Sequence, residues 1–188
     1  FVPADQDFVG CIEIQKTSTT TKLRYMGETP LLPGCYLRVT LRIKAISGSL
    51  PYVRIATYAG QAGGGPVSGV FTSGPTTTLT SYGDVTEVIA IIGAGQRNGV
   101  DMVWGSNALY GHFGLDLTGP NGGVVRIDDI EIENVTSVFI RDLISLVDVR
   151  DYGALGDGVT DDSATFDAAN SAANGRTILV PTGTYYLN

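Results

Sequence analysis

The sequence reads Asp151-Tyr152-Gly153-Ala154-Leu155-Gly156-Asp157-Gly158-Val159-Thr160-Asp161-Asp162 near the end of its 188 residues. The three glycines permit sharp turns, and Thr160 or Asp161 can cap a helix that begins directly afterwards. Asp162 would lie in its first turn, and the small-residue pattern predicts a helix that Asn174-Gly175 would end; its residues are Ala164, Phe166, Ala168, Ala169, Ala172 and Ala173. Strand-like patterns follow at residues 176–180 and 184–187. This order of helix, strand, turn and strand predicts a separate folding unit.

This passage resembles the opening of the pectate-lyase-like right-handed β-helix family, which reads DYGAxGDGxTDDT and later PxGTY. One departure is Ser163, where threonine is commoner and the hydroxyl is kept. The matching residues are Asp151-Tyr152-Gly153-Ala154, Gly156-Asp157-Gly158, Thr160-Asp161-Asp162, Ala164 and Pro181-Thr182-Gly183-Thr184-Tyr185.

The resemblance implies that residues 148–188 begin a right-handed parallel β-helix, reached through a connector at 137–147 that suits a short helix or a strand. Such openings occur in bacteriophage tailspikes and related virion spikes, in polysaccharide depolymerases and in secreted pectin-degrading enzymes. Paired carboxylates such as Asp161 and Asp162 are also what glycosidases use. We favour a structural role for them, because aspartate in a turn that caps a helix has a sufficient reason to be there. No catalytic residue is therefore predicted here, and any polysaccharide-degrading activity would lie on later coils.

Residues 1–136 predict an antiparallel β-sandwich of jelly-roll type. From Leu37 to Ala45 apolar and polar side chains alternate without a fault, as in a half-buried strand with a cationic outer face. The apolar run Val88–Ile92 favours a strand that is covered on both sides. Turn signals such as Gly63-Gly64-Gly65-Pro66 separate the short strands. The predicted fold class is mostly β, with a sandwich followed by the first coil of a β-helix.

This front part is similar to the carbohydrate-binding-module type of jelly roll, on the evidence of Pro33-Gly34-Cys35-Tyr36 and the final strand Val125–Ile132. Sugar binding needs aromatic faces for stacking and polar groups for the hydroxyls. Trp104 shares the apolar register of Val100 and Met102, which favours a place in the core. The candidate aromatic residues are Trp104, Tyr110, Tyr58 and Tyr82, and the candidate hydrogen-bonding residues are Asn107, Asp101 and His112.

The alternation slips by one residue within the strand Val125–Ile132, which predicts a β-bulge at Asp128-Asp129. Two adjacent carboxylates there could bind a structural Ca²⁺ together with Asp5 or Asp7. The alternative is that these acidic side chains are simply solvated.

The two cysteines, Cys11 and Cys35, are too few and too far apart in sequence for a zinc site. They could form a disulfide between neighbouring strands, or they are two small buried apolar residues. With 12 Lys plus Arg against 19 Asp plus Glu, the chain has a formal charge of −7, which argues against a nucleic-acid partner. No apolar stretch approaches the length of a membrane span.

These features lead to three hypotheses about function. The first is a spike or fibre protein of a phage or phage-like particle, such as a gene transfer agent, located at the virion surface. Its jelly roll would bind host surface polysaccharide or anchor the spike to the particle, and the protein would form homo-oligomers and contact other virion proteins. The second is a secreted polysaccharide lyase or hydrolase with an attached binding module, and the third is an adhesin without sugar affinity. Because the sequence starts at Phe1 and stops within a strand pattern, we expect a segment of a longer polypeptide.

Overall fold

The structure is a computed structural model that describes residues 1–143 and 145–188. The chain divides into two compact units, Phe1–Thr136 and Ser137–Asn188. The first unit is mostly β, whereas the second contains both helices and strands, and the two are described separately below.

The first unit is built from two sheets. The order in the six-stranded sheet is β1-β2-β10-β4-β7-β8, and in the four-stranded sheet it is β3-β9-β5-β6. Strand β8 pairs with β7 in parallel, and the other described strand pairs of this unit are antiparallel. The strands are β1 (Val2–Asp5), β2 (Phe8–Gln15), β3 (Thr21–Pro30), β4 (Tyr36–Ser47), β5 (Tyr52–Gly60), β6 (Thr77–Thr78), β7 (Thr86–Gly93), β8 (Met102–Val103), β9 (Tyr110–Thr118) and β10 (Val124–Asn134).

The core of this unit lies between the two sheets, as the alternation along β4 predicts. Every second residue of β4 from Leu37 to Ala45 is buried, and on the facing sheet Phe113, Leu115 and Leu117 of β9 are fully buried. Burying each such large apolar side chain stabilises the fold by about 1.5–3 kcal/mol. The antiparallel jelly-roll sandwich predicted from the sequence is confirmed.

Lys44 departs from the predicted cationic outer face of β4, because its side chain is only 4% exposed. Its ammonium group lies 2.7 Å from Asp5 Oδ1 and 3.1 Å from Asp7 Oδ2, and 4.9 Å from the centre of the Phe8 ring. Burial lowers the pKa of Lys44, but the hydrogen bonds to Asp5 and Asp7 outweigh it and the pKa is raised. The N-terminal residues thus cover this position and keep it charged.

The prediction that β7 is covered on both sides is wrong. Val88, Ala90 and Ile92 are buried, whereas Ile89 is 46% exposed and Ile91 is half-buried. The strand therefore has one core face and one solvent face, like its neighbours in the antiparallel sheet.

The predicted β-bulge in β10 is confirmed. Ile127 pairs with Ile43 of β4, and Ile130 pairs with Leu41. Asp128 and Asp129 therefore both lie opposite Arg42, where an extra residue shifts the register of the strand.

The second unit contains two parallel strand pairs. Strand β11 pairs with β13 and β12 pairs with β14, so the later strands stack on the earlier ones as successive coils of a parallel solenoid do. The elements are α1 (Thr136–Leu143), β11 (Leu146–Asp148), a 3₁₀ helix (Val149–Tyr152), β12 (Asp157–Asp161), α2 (Ser163–Ala173), β13 (Thr177–Leu179) and β14 (Thr184–Tyr186). The predicted order of cap helix and strands is confirmed.

The predicted alanine-rich helix is α2, and it ends as predicted with Asn174 and Gly175 in left-handed conformations. Its buried Ala169 and Ala173 pack with Val147 and Val149, since only small side chains allow so close an approach. In the predicted connector at 137–147 the chain is helical through Leu143 and extended from Leu146, and Ile144 lies outside the described residues. Among residues 1–143 and 145–188, no helix is long and apolar enough to cross a bilayer.

Both cysteines are free thiols. Cys11 is buried on β2, and Cys35 is half-buried and packs against the core between the sheets. Of the two alternatives, the structure agrees with two small apolar residues, and Cys11 and Cys35 do not form a disulfide.

Candidate functional site

Three aromatic rings meet on the outer face of the four-stranded sheet. Tyr58 of β5 pairs with His112 of the neighbouring strand β9, and Gly60 pairs with Tyr110. Because side chains alternate along a strand, burial of Phe113 and Leu115 in the core turns Tyr110 and His112 outward. The sequence pattern of β9 therefore decides which aromatic residues lie on this face.

The rings are in mutual contact. The ring of Tyr58 is stacked with His112 at a centroid distance of 5.3 Å, and Tyr110 lies 5.5 Å from His112 and 6.5 Å from Tyr58. Gly60 allows this arrangement, since a Cβ atom at that position would overlap the ring of Tyr110. Together these contacts form an aromatic platform of three half-buried rings.

Hydrogen bonds fix the edges of the platform. The Tyr58 hydroxyl donates to the carbonyl oxygen of Gly64, 2.9 Å away in the glycine-rich loop that follows β5. His112 Nδ1 lies 3.2 Å from the carbonyl oxygen of Gly27. A carbonyl oxygen can only accept, so Nδ1 carries the proton in this contact and Nε2 is left for a ligand.

Tyr110 remains a neutral hydrogen-bond donor at neutral pH. Burial raises its pKa above the ordinary value of 10.0, and the nearby Tyr58 and Glu28 raise it further. A phenol that keeps its proton can donate to the oxygen of a bound hydroxyl group and can also accept from it.

The platform forms part of a groove of about 480 Å³. Strand β3 supplies one wall of this groove, and the glycine-rich loop lies at its other side. We call it the aromatic groove; its lining residues are Lys22, Arg24, Met26, Thr57, Tyr58, Gly64, Tyr110 and His112. It combines rings for stacking with charged and polar groups for hydrogen bonding.

A buried charge network supports the floor of this face. Asp116 of β9 is buried and accepts from Arg24 at 2.7 Å and from Arg54 at 3.1 Å. Arg24 also donates to the carbonyl oxygens of Leu23 and Leu115, at 2.8 and 2.5 Å. These contacts hold the Arg24 guanidinium in place beside the groove and link β3 to β9.

Trp104 is not part of the site. It is 1% exposed, its ring stacks on Phe113 at 5.9 Å, and its indole N–H donates to the carbonyl oxygen of Phe71. A ring enclosed in the core offers no face to a sugar, so its proposed role in carbohydrate binding is wrong and the core position favoured by its register is the correct one.

The other predicted residues lie outside the aromatic groove. Asn107 lines a smaller depression of about 240 Å³ with Gln61 and Ser106, next to the same glycine-rich loop. Tyr82 is 54% exposed, and its hydroxyl donates to the carbonyl oxygen of Gly48. The carboxylate of Asp101 accepts from the backbone N–H of Ile91 and so fastens a loop.

The predicted calcium ligands do not come together. Asp5 binds Lys44 and Arg126, both at 2.7 Å, and hydrogen bonds from these two cations lower its pKa. Asp128 pairs with Arg42 at 2.9 Å, while Asp129 accepts from the backbone N–H that follows it. Within the described residues no group of three or more acidic, histidine or cysteine side chains could hold a metal ion. The prediction that Asp5, Asp128 and Asp129 form a calcium site is therefore wrong. Asp5 and Asp128 form ion pairs, and Asp129 makes a turn contact.

The aspartates of the second unit have structural partners, in line with the role favoured above. Asp157 accepts from the backbone N–H groups of Thr160 and Val159 and from the Thr160 hydroxyl, which lowers its pKa. Asp161 accepts from the hydroxyl and N–H of Ser163, and these bonds lower its pKa as well. Asp162, not Thr160 or Asp161, is the N-cap residue of α2.

Sequence reasoning missed the contribution of β3 to the site. Lys22, Arg24 and Met26 follow one another at intervals of two, the spacing that places side chains on one face of a strand. This alternation could have predicted that the three side chains share one face of a strand. The intervening residues Leu23 and Tyr25 make the pattern weaker than that of β4.

Comparison with known proteins bears on the second unit. Residues 146–188 match the family model described as rhamnogalacturonase A/epimerase, pectate lyase-like. A comparison with curated proteins gives no match.

Among solved structures, the chain is similar to the enzymatically active domain of bacteriophage CBA120 tailspike protein 4, with 12% identity and a TM-score of 0.43 over 72% of this chain. It spans 17% of the length of that protein. It is also similar to the sugar-binding EclA C-terminal domain (13% identity, TM-score 0.40, 71% of this chain and 83% of that one). A third similar structure is the CBM22-1 xylan-binding domain of Paenibacillus barcinonensis Xyn10C (12% identity, TM-score 0.40, 61% and 72%).

Proposed function

We propose that the aromatic groove binds polysaccharide. The observation that carries this proposal is the gathering of Tyr58, Tyr110 and His112 on one outward sheet face, with ring centroids 5.3–6.5 Å apart. Sugar rings have apolar C–H faces that stack on aromatic rings, and their hydroxyls need polar partners at the edges. The Tyr110 hydroxyl and His112 Nε2 are suitable partners of this kind.

The depression at Asn107 extends this proposal along a polymer. It lies beside the glycine-rich loop that also borders the aromatic groove, and its lining includes the amide side chain of Gln61. Amide groups both donate and accept, so they suit the hydroxyls of a second sugar residue. We assign the groove as the main contact and this depression as an additional one.

Site-directed variants of the full chain test the proposal by affinity electrophoresis in native gels that contain soluble polysaccharides. The panel comprises dextran, xylan, laminarin and polygalacturonate. Stacking on one aromatic ring is worth about 0.5–1.5 kcal/mol, so Tyr58→Ala is expected to weaken retention about two- to tenfold. Tyr82→Ala is the matched control, since it removes an exposed tyrosine outside the groove.

The proposal fails if no polymer of the panel retards the chain. It also fails if Tyr58→Ala leaves retention unchanged, or if Tyr82→Ala reduces it by the same factor. A thermal unfolding curve of each variant shows whether a loss of retention has its origin in the groove or in unfolding.

We further propose that the chain is part of a spike or fibre at the surface of a phage or phage-like particle, such as a gene transfer agent. The presence in one chain of a candidate sugar-binding groove and a pectate-lyase-like segment at 146–188 supports this role. The partners would be host surface polysaccharide, other virion proteins and further copies of the chain, because spikes sit on symmetry axes.

An adsorption experiment distinguishes this role from the alternative of a secreted polysaccharide lyase or hydrolase with an attached binding module. A spike component is expected to co-sediment with particles, and the isolated chain should compete with those particles for adsorption to host cells. Tyr58→Ala should compete less well. The secreted enzyme, which the name of the matched family model favours, instead predicts the protein in the particle-free medium.

A further inference from the structure

The aromatic groove is cationic although the chain as a whole is acidic. The cationic side chains Lys22 and Arg24 line it, and among the described residues no aspartate or glutamate does. The chain carries a formal charge of −7, so this groove differs in sign from the average surface. Such a local difference affects binding directly, since charges act mainly within about 8 Å at physiological ionic strength.

The carboxylate of Asp116, which lies beneath this face, is already neutralised. Asp116 is buried and lies between Arg24 and Arg54, so two positive groups share one negative group. A net positive charge therefore remains next to the groove, and it is held in fixed geometry by the backbone contacts of Arg24.

Lys22 adds a second positive charge that has no internal partner. Its Cα lies opposite Asp116 in the β3–β9 register, yet in the described part of the chain its ammonium group makes no hydrogen bond and no ion pair. Other basic side chains of this unit are paired with carboxylates, namely Arg38, Arg42, Lys44 and Arg126. Lys22 is thus an exposed cation beside an aromatic platform.

A further acidic residue, Glu28 of β3, acts on the Tyr110 end of the platform. Glu28 is close enough to raise the pKa of Tyr110. It does not line the groove, and it lies six residues from Lys22 on the same strand. The positive end of the groove is therefore the one formed by Lys22 and Arg24.

We infer that the groove selects acidic polysaccharides and that Lys22 contacts the anionic group of a sugar stacked on the platform. This inference rests on the proposed function and names its ligand class. Carboxylate and sulfate groups share the required chemistry, because each accepts a hydrogen bond from an ammonium group and is attracted by its charge.

Matched polymers test the inference by affinity electrophoresis of the full chain. Polygalacturonate and its methyl ester have the same backbone and differ in charge, and dextran and dextran sulfate form a second pair. Polygalacturonate is expected to retard the chain at least threefold more strongly than its ester does. If the charged polymer retards the chain more strongly than its neutral counterpart only in the first pair, carboxylate is the preferred anion. If it does so in both pairs, either anion suffices.

Variants of Lys22 connect the selectivity to the groove. Lys22→Gln is expected to reduce the preference for polygalacturonate over its ester about two- to fivefold, and Lys22→Arg should keep it. Arg97→Gln is the control, since it removes the same charge from a side chain that donates to the backbone of Gln96 outside the groove. Sodium chloride at about 1 M, where the screening length is about 3 Å, should abolish the preference.

The results separate the inference from the proposal on which it rests. Equal retention by polygalacturonate and its ester, still sensitive to Tyr58→Ala, would overturn the acidic selectivity and leave polysaccharide binding intact. The inference is also wrong if Arg97→Gln and Lys22→Gln reduce retention equally, because attraction would then be non-specific. If neither these four polymers nor xylan and laminarin retard the chain, polysaccharide binding fails as well.

Discussion

Replacing Asp162 with alanine should destabilise the second unit without affecting the first. The Asp162 side chain is 1% exposed, and its two oxygens accept from the backbone N–H groups of Leu155 and Gly156 at 2.8 and 3.2 Å. A buried N–H group that loses its acceptor costs about 1–3 kcal/mol, and a half-buried one costs less because water can reach it. The two bonds to Asp162 are half-buried, so we expect unfolding of this unit to become easier by about 2–4 kcal/mol.

The two units can be followed separately in one sample. Trp104 is the only tryptophan and lies in the core of the first unit, so its fluorescence reports unfolding there. Hydrogen exchange followed by mass spectrometry reports residues 155–173 of the second unit. In Asp162→Ala, exchange in this segment is expected to accelerate about 30- to 700-fold, the factor that corresponds to about 2–4 kcal/mol.

Asp161→Ala is the matched control. It removes a neighbouring carboxylate that is exposed and bonded to Ser163, where water can replace the lost contacts. Unchanged protection of residues 155–173 in Asp162→Ala would refute the argument that Asp162 holds the turn. An equal shift of the Trp104 transition would refute the separate unfolding of the two units.

Three further outcomes are expected. Gly114→Ala should destabilise the first unit by about 1–3 kcal/mol in urea titrations followed by Trp104 fluorescence, because the new Cβ atom would overlap the carbonyl oxygen of Leu23. The lowered pKa of Asp157 contributes stability above its ordinary value of 3.8, and this is lost as pH falls through the lower folded value. The helical circular dichroism signal should therefore become more sensitive to urea below about pH 4, and less so in Asp157→Asn. Iodide should fail to quench Trp104 fluorescence, and polysaccharide should leave the emission unchanged; a shift on binding would contradict its core position.

The fold could be predicted where residue type and spacing act locally. The perfect alternation from Leu37 to Ala45 placed β4, and the one-residue slip at Asp128-Asp129 located the bulge, because a strand has a period of two. The prediction that Val88–Ile92 is covered on both sides is wrong because it depends on tertiary packing and not on local spacing. An apolar run does not show whether a second layer covers a strand, and here Ile89 lies on a solvent face.

The site could be predicted in part. Tyr58, Tyr110 and His112 were among the candidates on the basis of side-chain chemistry, but only the pairing of β5 with β9 separates them from Tyr82. Two of the predicted calcium ligands failed for the same reason, since their true partners lie on strands that are distant in sequence. Asp5 is 39 residues away from Lys44 in sequence, so no local pattern shows that a cation already occupies it.

The distribution of ion pairs explains how an acidic chain can present a cationic groove. Several acidic side chains of the first unit are committed to arginine or lysine partners on neighbouring strands, as Asp5, Asp128 and Glu133 are. Asp116 is shared by two arginines, and Lys22 pairs with no carboxylate in the part of the chain that the structure describes, so the local charge beside the platform is opposite to the net charge. Net charge governs long-range approach, whereas contact within one screening length is governed by the nearest groups. The value of −7 therefore opposes the long-range approach of any polyanion, whereas Lys22 and Arg24 act on the anionic group of a sugar once it is in contact with the groove.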